Sequence, residues 1–157
     1  MDTKLLSYGS LGIPEALIRA HEELCEELAR ATAEPGQIGK VAKKVEELCV
    51  PHFAKEEETI FRVFGLLHDL ATERVRPDVV VALPIISELR ARRDIASDHH
   101  KLINAAIEEL LQQARKEKNK TIARIARALK DHENAEDEVM YPTIVAIGQS
   151  LRESPGI

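Results

Sequence analysis

Histidine and glutamate side chains recur at helical spacing on the apolar stripes of this sequence. Four of the six histidines each fall on the inward stripe of a different predicted helix: His21, His52, His99 and His132. A glutamate follows two of them four residues later, as Glu56 after His52 and Glu136 after His132. Residues four apart share one face of a helix, so each pair can reach the same point. A carboxylate buried on an apolar stripe requires a cation or a strong donor, and the joint pattern therefore predicts a metal site.

The number of donors indicates which metal the site would suit. Two six-coordinate ions offer about twelve positions, of which four imidazoles, two bridging carboxylates and one bridging oxide or hydroxide fill about ten. Mixed imidazole and carboxylate ligation with open positions suits iron, with manganese as the second choice. Zinc needs only four ligands, so six donors exceed its requirement. Taken singly, each element has a simpler interpretation, because a lone inward histidine is usually a hydrogen-bonded core residue and one His-x-x-x-Glu pair an exposed ion pair.

The elements that must position these side chains are amphipathic helices. Proline, glycine and polar clusters divide the periodic segments and predict four helices, over about residues 14–33, 38–71, 79–116 and 121–147. Pro51 is expected to kink or interrupt the second helix, and Pro84 to kink or restart the third. The run VVVALPII could form a short strand, but no partner strand is evident, so it is assigned to the third helix. Short loops between the helices favour an all-α, up-down antiparallel four-helix bundle.

The chain contains an internal repeat. Superposing His21 on His99 and His52 on His132 also pairs other residues, namely Glu56 with Glu136, Glu57 with Asp137, and Phe61 with Tyr141. The alignment predicts one helical hairpin used twice. On the third helix, hydrophobic periodicity places the inward stripe on Ile95, His99, Leu102, Ala106 and Leu110.

Length and composition limit the classes of protein that the chain can form. The 157 residues predict a single domain, 1–157, with a core over about 14–147 and flexible ends. A net charge of −5, with three phenylalanines, two tyrosines and no tryptophan, argues against a nucleic-acid partner. No apolar run approaches the roughly 18–20 residues of a membrane span, and the first residues lack a signal-peptide pattern, so a cytoplasmic protein is expected. Cys25 and Cys49 are too few for a disulfide framework.

Four segments resemble the two repeats of the hemerythrin-like "HHE" cation-binding domain: ALIRAHEELCEEL, CVPHFAKEEETIF, DIASDHHKLINAAI and ALKDHENAEDEVMYP. The resemblance covers about residues 14–147 and implies a four-helix bundle around a non-haem di-iron centre. It implies terminal ligands from histidine and bridging ligands from glutamate, namely His21, His52, His99, His132, Glu56 and Glu136. The implied cofactor is a pair of oxo- or hydroxo-bridged iron ions, with manganese or zinc as alternative occupants, and the implied ligand is dioxygen.

The sequence departs from the pattern of the oxygen-carrying hemerythrins. Those proteins have a His-x-x-x-His pair on the third helix, whereas this chain has adjacent His99 and His100. Neighbouring helical residues diverge by about 100°, so His99 is assigned to the stripe and His100 to the flank. His68 lies about 18 Å beyond Glu56 along a continuous helix and can be a ligand only if the chain turns back near Gly65, so a fifth histidine ligand from His100 or His68 is left open. The acidic residues at 57, 58, 137 and 138 are assigned to a solvated face, with support of the ligands or iron entry as the alternative.

The leading functional hypothesis is a di-iron protein that binds dioxygen or a related small molecule for storage, delivery or sensing. The alternatives are a di-iron redox enzyme acting on peroxide, nitric oxide or iron(II), an iron-handling protein, and a metal-free helical interaction module. No serine, cysteine or lysine nucleophile constellation is present, so no catalytic residue is assigned. The Glu-x-x-His pairs of ferritin-like proteins and the His-Glu-x-x-His motif of zinc peptidases are also absent. The chain is expected to stand alone, without a fused signalling domain.

Overall fold

The computed structural model describes residues 12–72 and 81–153, and helices account for most of them. In chain order the elements are α1 (Glu15–Thr32), α2 (Gly36–Glu58), α3 (Ile60–Phe64), α4 (Leu67–Ala71), α5 (Ala82–Ala91), α6 (Arg93–Lys116), α7 (Lys120–Ala135), a π-helical turn (Glu136–Met140) and α8 (Tyr141–Glu153). Within these two ranges no residue forms a strand. The all-α prediction is therefore confirmed for the described residues.

Four long helices, α1, α2, α6 and α7, enclose the larger of two apolar clusters. Helix α1 contacts α2 and α7, and α6 contacts the same two helices, so each has two neighbours in the group. Their facing sides bury Leu28, Val45, Ile107, Leu110 and Leu129 among others. Burying each such side chain contributes about 1.5–3 kcal/mol to the free energy of folding. This cluster therefore fixes the positions of the four helices relative to one another.

A second apolar cluster forms where α3, α5 and α8 contact one another. It includes Phe61 and Ile86, and a close approach of α5 to α8 holds it together. A methyl group at Gly148 would lie 2.5 Å from Ile86 Cγ2, so only glycine fits there without a shift of that side chain. Phe53 of the first cluster and Phe61 of the second both stack on the His21 ring, which places His21 between the two clusters.

The helix boundaries agree with the predicted ones at some ends and differ at others. Helix α1 begins and ends within one residue of the predicted limits, and α6 ends at the predicted Lys116. Helix α2 continues through Pro51 but ends at Glu58, well before the predicted residue 71, and the short helices α3 and α4 follow it. The third predicted helix is divided at Arg92 into α5 and α6, rather than at Pro84, which lies inside α5. The flexible end predicted over the first ten residues and the helix boundary predicted at residues 76–78 both lie outside the described residues.

No helix in the described ranges has the length and apolar character needed to cross a membrane.

Candidate metal centre

Six polar side chains meet between the two apolar clusters. They come from all four long helices and the π-helical turn: His21 on α1, His52 and Glu56 on α2, His100 on α6, His132 on α7, and Glu136 as the first residue of the π-helical turn. We refer to these six residues as the donor cluster. His132 is slightly exposed and the other five are buried. Imidazoles and carboxylates are buried together at this density only when they satisfy one another or bind an ion.

The ligand atoms of the donor cluster form two groups of four. One group is His21, Glu56, His132 and Glu136, and the other is His52, Glu56, His100 and Glu136. Within each group all ligand atoms lie within 4.8 Å of one another. Both glutamates belong to both groups, so each carboxylate could bridge two neighbouring ions. Such a buried cluster could hold a metal ion.

Several atoms of the cluster face one another without a hydrogen bond that satisfies them. His132 Nε2 lies 2.8 Å from Glu136 Oε1, yet neither this oxygen nor Glu56 Oε2 has a partner with hydrogen-bond geometry. The Nε2 atoms of His21 and His132 are 3.0 Å apart, so both cannot carry a proton. A buried carboxylate oxygen left unpaired costs about 1–3 kcal/mol. A cation among these atoms would satisfy them all, so the residues present fit a metal ion.

Two further carboxylates hold the outer nitrogens of the imidazoles. Glu57 Oε1 lies 2.9 Å from His21 Nδ1, and Asp137 Oδ1 lies 2.8 Å from His100 Nδ1. An Nδ1–H that donates to a carboxylate leaves Nε2 unprotonated and directed into the cluster, which is how metal-binding histidines are commonly oriented. Glu57 and Asp137 therefore support the donor cluster, as the alternative interpretation of the acidic residues proposed. The neighbouring Glu58 is exposed.

A local distortion of the helix follows the His-x-x-x-Glu pair in both repeats. Helix α2 stops at Thr59, whose φ of −124° and ψ of −86° are not helical, and the second repeat forms its π-helical turn at the same position. In a straight α-helix residues five apart diverge by about 140°, so Glu136 and Tyr141 could not face one point. The wider π-helical turn removes this conflict. The Tyr141 hydroxyl donates to Glu56 Oε1 at 3.0 Å.

The structure brings five of the six predicted site residues together and places His100, rather than His99, with them. Helix α6 buries His100 and Ile103, whereas Leu102, which the prediction placed on the inward stripe, has 61% of its surface exposed. The predicted stripe is therefore wrong at His99 and Leu102, whereas its members Ala106 and Leu110 are buried as predicted. His99 is half-buried at the edge, with its ring centroid 5.4 Å from that of His52. His68 is exposed on α4.

The charges of the cluster are strongly coupled. Burial, together with the charge of Glu136, raises the pKa of Glu56 well above its usual range. Burial alone would raise the pKa of Glu136 too, but the imidazoles of His132 and His52 outweigh it and lower that pKa to about 2. Burial and the charge of His132 lower the pKa of His21 to about 4. At neutral pH His21 is thus neutral, which is the form that binds metals.

Glu133 is a buried acid beside the cluster that the sequence analysis missed. It is fully buried, neither carboxylate oxygen has a hydrogen-bond partner, and Oε2 lies 3.8 Å from His52 Nε2. Burial and the charges of Glu136 and Asp137 raise its pKa to about 9. The signal was present in the sequence, because Glu133 continues the three- and four-residue steps of buried positions at 122, 126 and 129.

The thiols lie outside both donor groups. Cys49 is fully buried in the larger apolar cluster, and Cys25 packs against that cluster at its edge. Burial raises the pKa of both thiols.

No protein-family model, curated protein or solved structure matches the chain. The assignment of a candidate metal centre therefore rests on the geometry of the donor cluster.

Proposed function

We propose that this chain is a hemerythrin-like, non-haem di-iron protein that binds dioxygen or a related small molecule for storage, delivery or sensing. The observation that carries the proposal is the pair of four-donor groups that share Glu56 and Glu136. A structural zinc site would need one group of four, whereas two groups with common carboxylates suit two adjacent ions. Imidazole and carboxylate without thiolate favours iron, with manganese or zinc as alternatives.

The donor positions along the helices support an up-down four-helix bundle within a single domain. His21 and His100 lie near the beginnings of α1 and α6, whereas His52 and His132 lie near the ends of α2 and α7. All four side chains meet at one level, so helices that contact each other would run in opposite directions. This is the topology that a helical hairpin used twice would produce.

The chain's own residues would orient the ligands and hold protons near them. Glu57 and Asp137 fix the tautomers of His21 and His100. The Tyr141 hydroxyl donates a hydrogen bond to Glu56 Oε1, with 3.0 Å between the two oxygens. Burial raises the pKa of Tyr141, so the hydroxyl stays protonated. Iron(II) bound there would supply the electrons that dioxygen binding or reduction requires.

A redox enzyme acting on peroxide, nitric oxide or iron(II) is the second candidate. The placement of Tyr141 favours it, since the hydroxyl oxygen lies 3.2 Å from His100 Nε2 as well as close to Glu56. A protonated phenol at this position could donate a hydrogen bond or a proton to a small oxygen-containing molecule beside the cluster.

The experiment that tests the proposal compares metal content in two matched glutamate variants. Glu136→Ala removes one shared carboxylate, and Glu138→Ala removes an exposed carboxylate two residues away. After anaerobic reconstitution with iron(II), Glu136→Ala should lose most of the iron that the unmodified chain and Glu138→Ala retain. Circular dichroism would confirm that both variants are helical. Equal iron in the two variants would overturn the proposal, as would an unmodified chain that binds none.

A further inference from the structure

The two halves of the donor cluster have different surroundings. The His21 ring is covered by two phenylalanines, with ring centroids 4.2 Å away for Phe53 and 4.6 Å away for Phe61. The internal repeat places Glu133 and Tyr141 at the positions equivalent to these phenylalanines. Both replacements are polar, and both lie on the side of His52 and His100. The repeat has therefore diverged into one half in which phenylalanines cover the His21 ring and another in which polar side chains occupy the equivalent positions.

The polar half opens into a cavity of about 560 Å³ between α2, α5 and α6. Its inner surface includes four of the residues described above: His52, Glu56, His100 and Tyr141. Apolar side chains of Ile60, Ile85 and Leu89 form the walls. The cavity thus joins the donor cluster to an apolar compartment.

The exposed side chains around the cavity carry an excess of positive charge. Lys55 and Arg92 are exposed on this lining. Arg92 forms an ion pair with Glu88, with 3.5 Å between Arg92 Nε and Glu88 Oε1. Among the side chains that the structure describes, at residues 12–72, 81–92 and 97–152, Lys55 has no ion-pair partner. His99 adds an imidazole at the edge of the cavity. Among the described side chains of the lining, the Lys55 ammonium therefore faces the cavity without a compensating carboxylate, in a chain whose net charge is −5.

The size of the cavity exceeds what a diatomic ligand needs. A water molecule occupies about 30 Å³ of liquid, and dioxygen is of similar size. Cavities of roughly 300–1,000 Å³ are those that take organic ligands of the size of a drug or cofactor, with apolar walls and a few polar groups that fix orientation. The cavity here has this size and this distribution of polar and apolar groups.

We propose that this cavity binds a small organic carboxylate with an apolar body, held by Lys55 at its mouth and by Ile60, Ile85 and Leu89 along its walls. The inference rests on the proposed function, because it names a class of molecule that the same site would bring beside its metal ligands. The acid group pairs with the Lys55 ammonium at the mouth, and the apolar body displaces water from the walls. Neutral molecules of the same shape would gain only the free energy of displacing water from the apolar walls.

The test uses 2-naphthoate and octanoate as probes, with 2-naphthylmethanol as the neutral counterpart, in titration calorimetry of the metal-free chain. We expect saturable binding of the carboxylates with Kd below about 1 mM and clearly weaker binding of the alcohol. Lys55→Glu should weaken naphthoate binding by about five- to tenfold and leave the alcohol nearly unchanged. Lys43→Glu, on an exposed position of the same helix away from the cavity, is the matched control and should change neither.

A second variant tests the cavity itself. Leu89 is half-buried on the cavity wall, and Leu89→Trp would fill part of the space. This substitution should weaken the binding of both the carboxylates and the alcohol by at least about tenfold. Lys55 is exposed, so its variant keeps the test valid even if Leu89→Trp unfolds.

The outcomes separate this inference from the proposed function. Absence of saturable carboxylate binding, equal binding of alcohol and carboxylate, or equal losses in Lys55→Glu and Lys43→Glu would each overturn the inference. None of these results involves the iron content of the chain, which tests the proposed function alone. Carboxylate binding in a chain that takes up no iron would leave the cavity assignment supported and refute the metal centre.

Discussion

Replacing the buried Glu133 with an apolar residue should make the metal-free chain more stable. Its side chain is fully buried with both oxygens unpaired, so in the metal-free chain it should destabilise the fold. Glu133→Met replaces the carboxyl group with an apolar group of similar length. Because an unsatisfied buried polar group costs about 1–3 kcal/mol, the variant should be more stable than the parent by about that amount. Most substitutions of buried residues have the opposite effect.

The pH dependence gives the same test a second readout. The native pKa of Glu133 is about 9, against 4.5 as its ordinary value, so between these pH values the native state binds the proton that the unfolded state releases. The free energy of unfolding of the metal-free chain should therefore fall as pH rises through this range, by at most about 1.4 kcal/mol per pH unit from this group. Glu56 contributes in the same direction in both proteins. The difference between parent and variant isolates Glu133.

Urea unfolding followed by circular dichroism at pH 5, 7 and 9 would measure both effects on chelator-treated protein. A gain of about 2 kcal/mol corresponds to a rise in Tm of about 4–8 °C for a chain of this length. Glu47→Met, at an exposed position of α2, is the control and should change stability by less than about 0.5 kcal/mol. A Glu133→Met variant that is less stable at every pH, or whose stability keeps the parent's pH dependence, would refute the reasoning.

Three other predictions concern the ligands and the thiols. In metal analysis, His100→Ala should lose at least one of two bound ions and His99→Ala should retain both. The reason is that His100, and not His99, belongs to a donor group. The reverse result would mean that α6 is placed in the wrong phase. Glu57→Ala should weaken metal affinity by about 10–100-fold in a chelator competition while leaving the helical content intact, since it removes the partner of an imidazole Nδ1–H. An unchanged affinity would assign that carboxylate to the solvated surface. Iodoacetamide should modify Cys25 slowly in the native chain and Cys49 only after unfolding, because Cys49 is fully buried with a raised pKa. Mass spectrometry counts the adducts, and rapid native modification of Cys49 would contradict the packing described for it.

The sequence predicted the all-α class and most of the donor cluster because two signals agreed there. Hydrophobic periodicity placed the helices, and the His-x-x-x-Glu pairs lay on the same stripes. On α6 the signal was ambiguous, since Leu102 and Ile103 are adjacent and each supports a different phase. Ile103 is buried and Leu102 is exposed. Because His100 lies three residues before Ile103 on the same face of the helix, it is buried as well. Adjacent histidines could not be told apart by pattern alone.

The role of Tyr141 could not be predicted from regular helical geometry, whereas the spacing of buried positions on α7 already indicated an inward Glu133. The sequence pairs Tyr141 with Phe61, but facing Glu56 requires the π-helical turn, and helical periodicity assumes 3.6 residues per turn throughout. No role was predicted for Glu133 from the sequence. Its burial depends on how α7 packs against α1 and α6, which is a tertiary effect.

The most direct test of the account is the number of iron(II) ions that the chain binds. Anaerobic titration of the metal-free chain, followed by removal of unbound metal and elemental analysis, gives this number. Two groups of four donors with Glu56 and Glu136 in common predict about two ions per chain. A chain that binds none, or that saturates at one with both glutamates intact, would contradict the central claim.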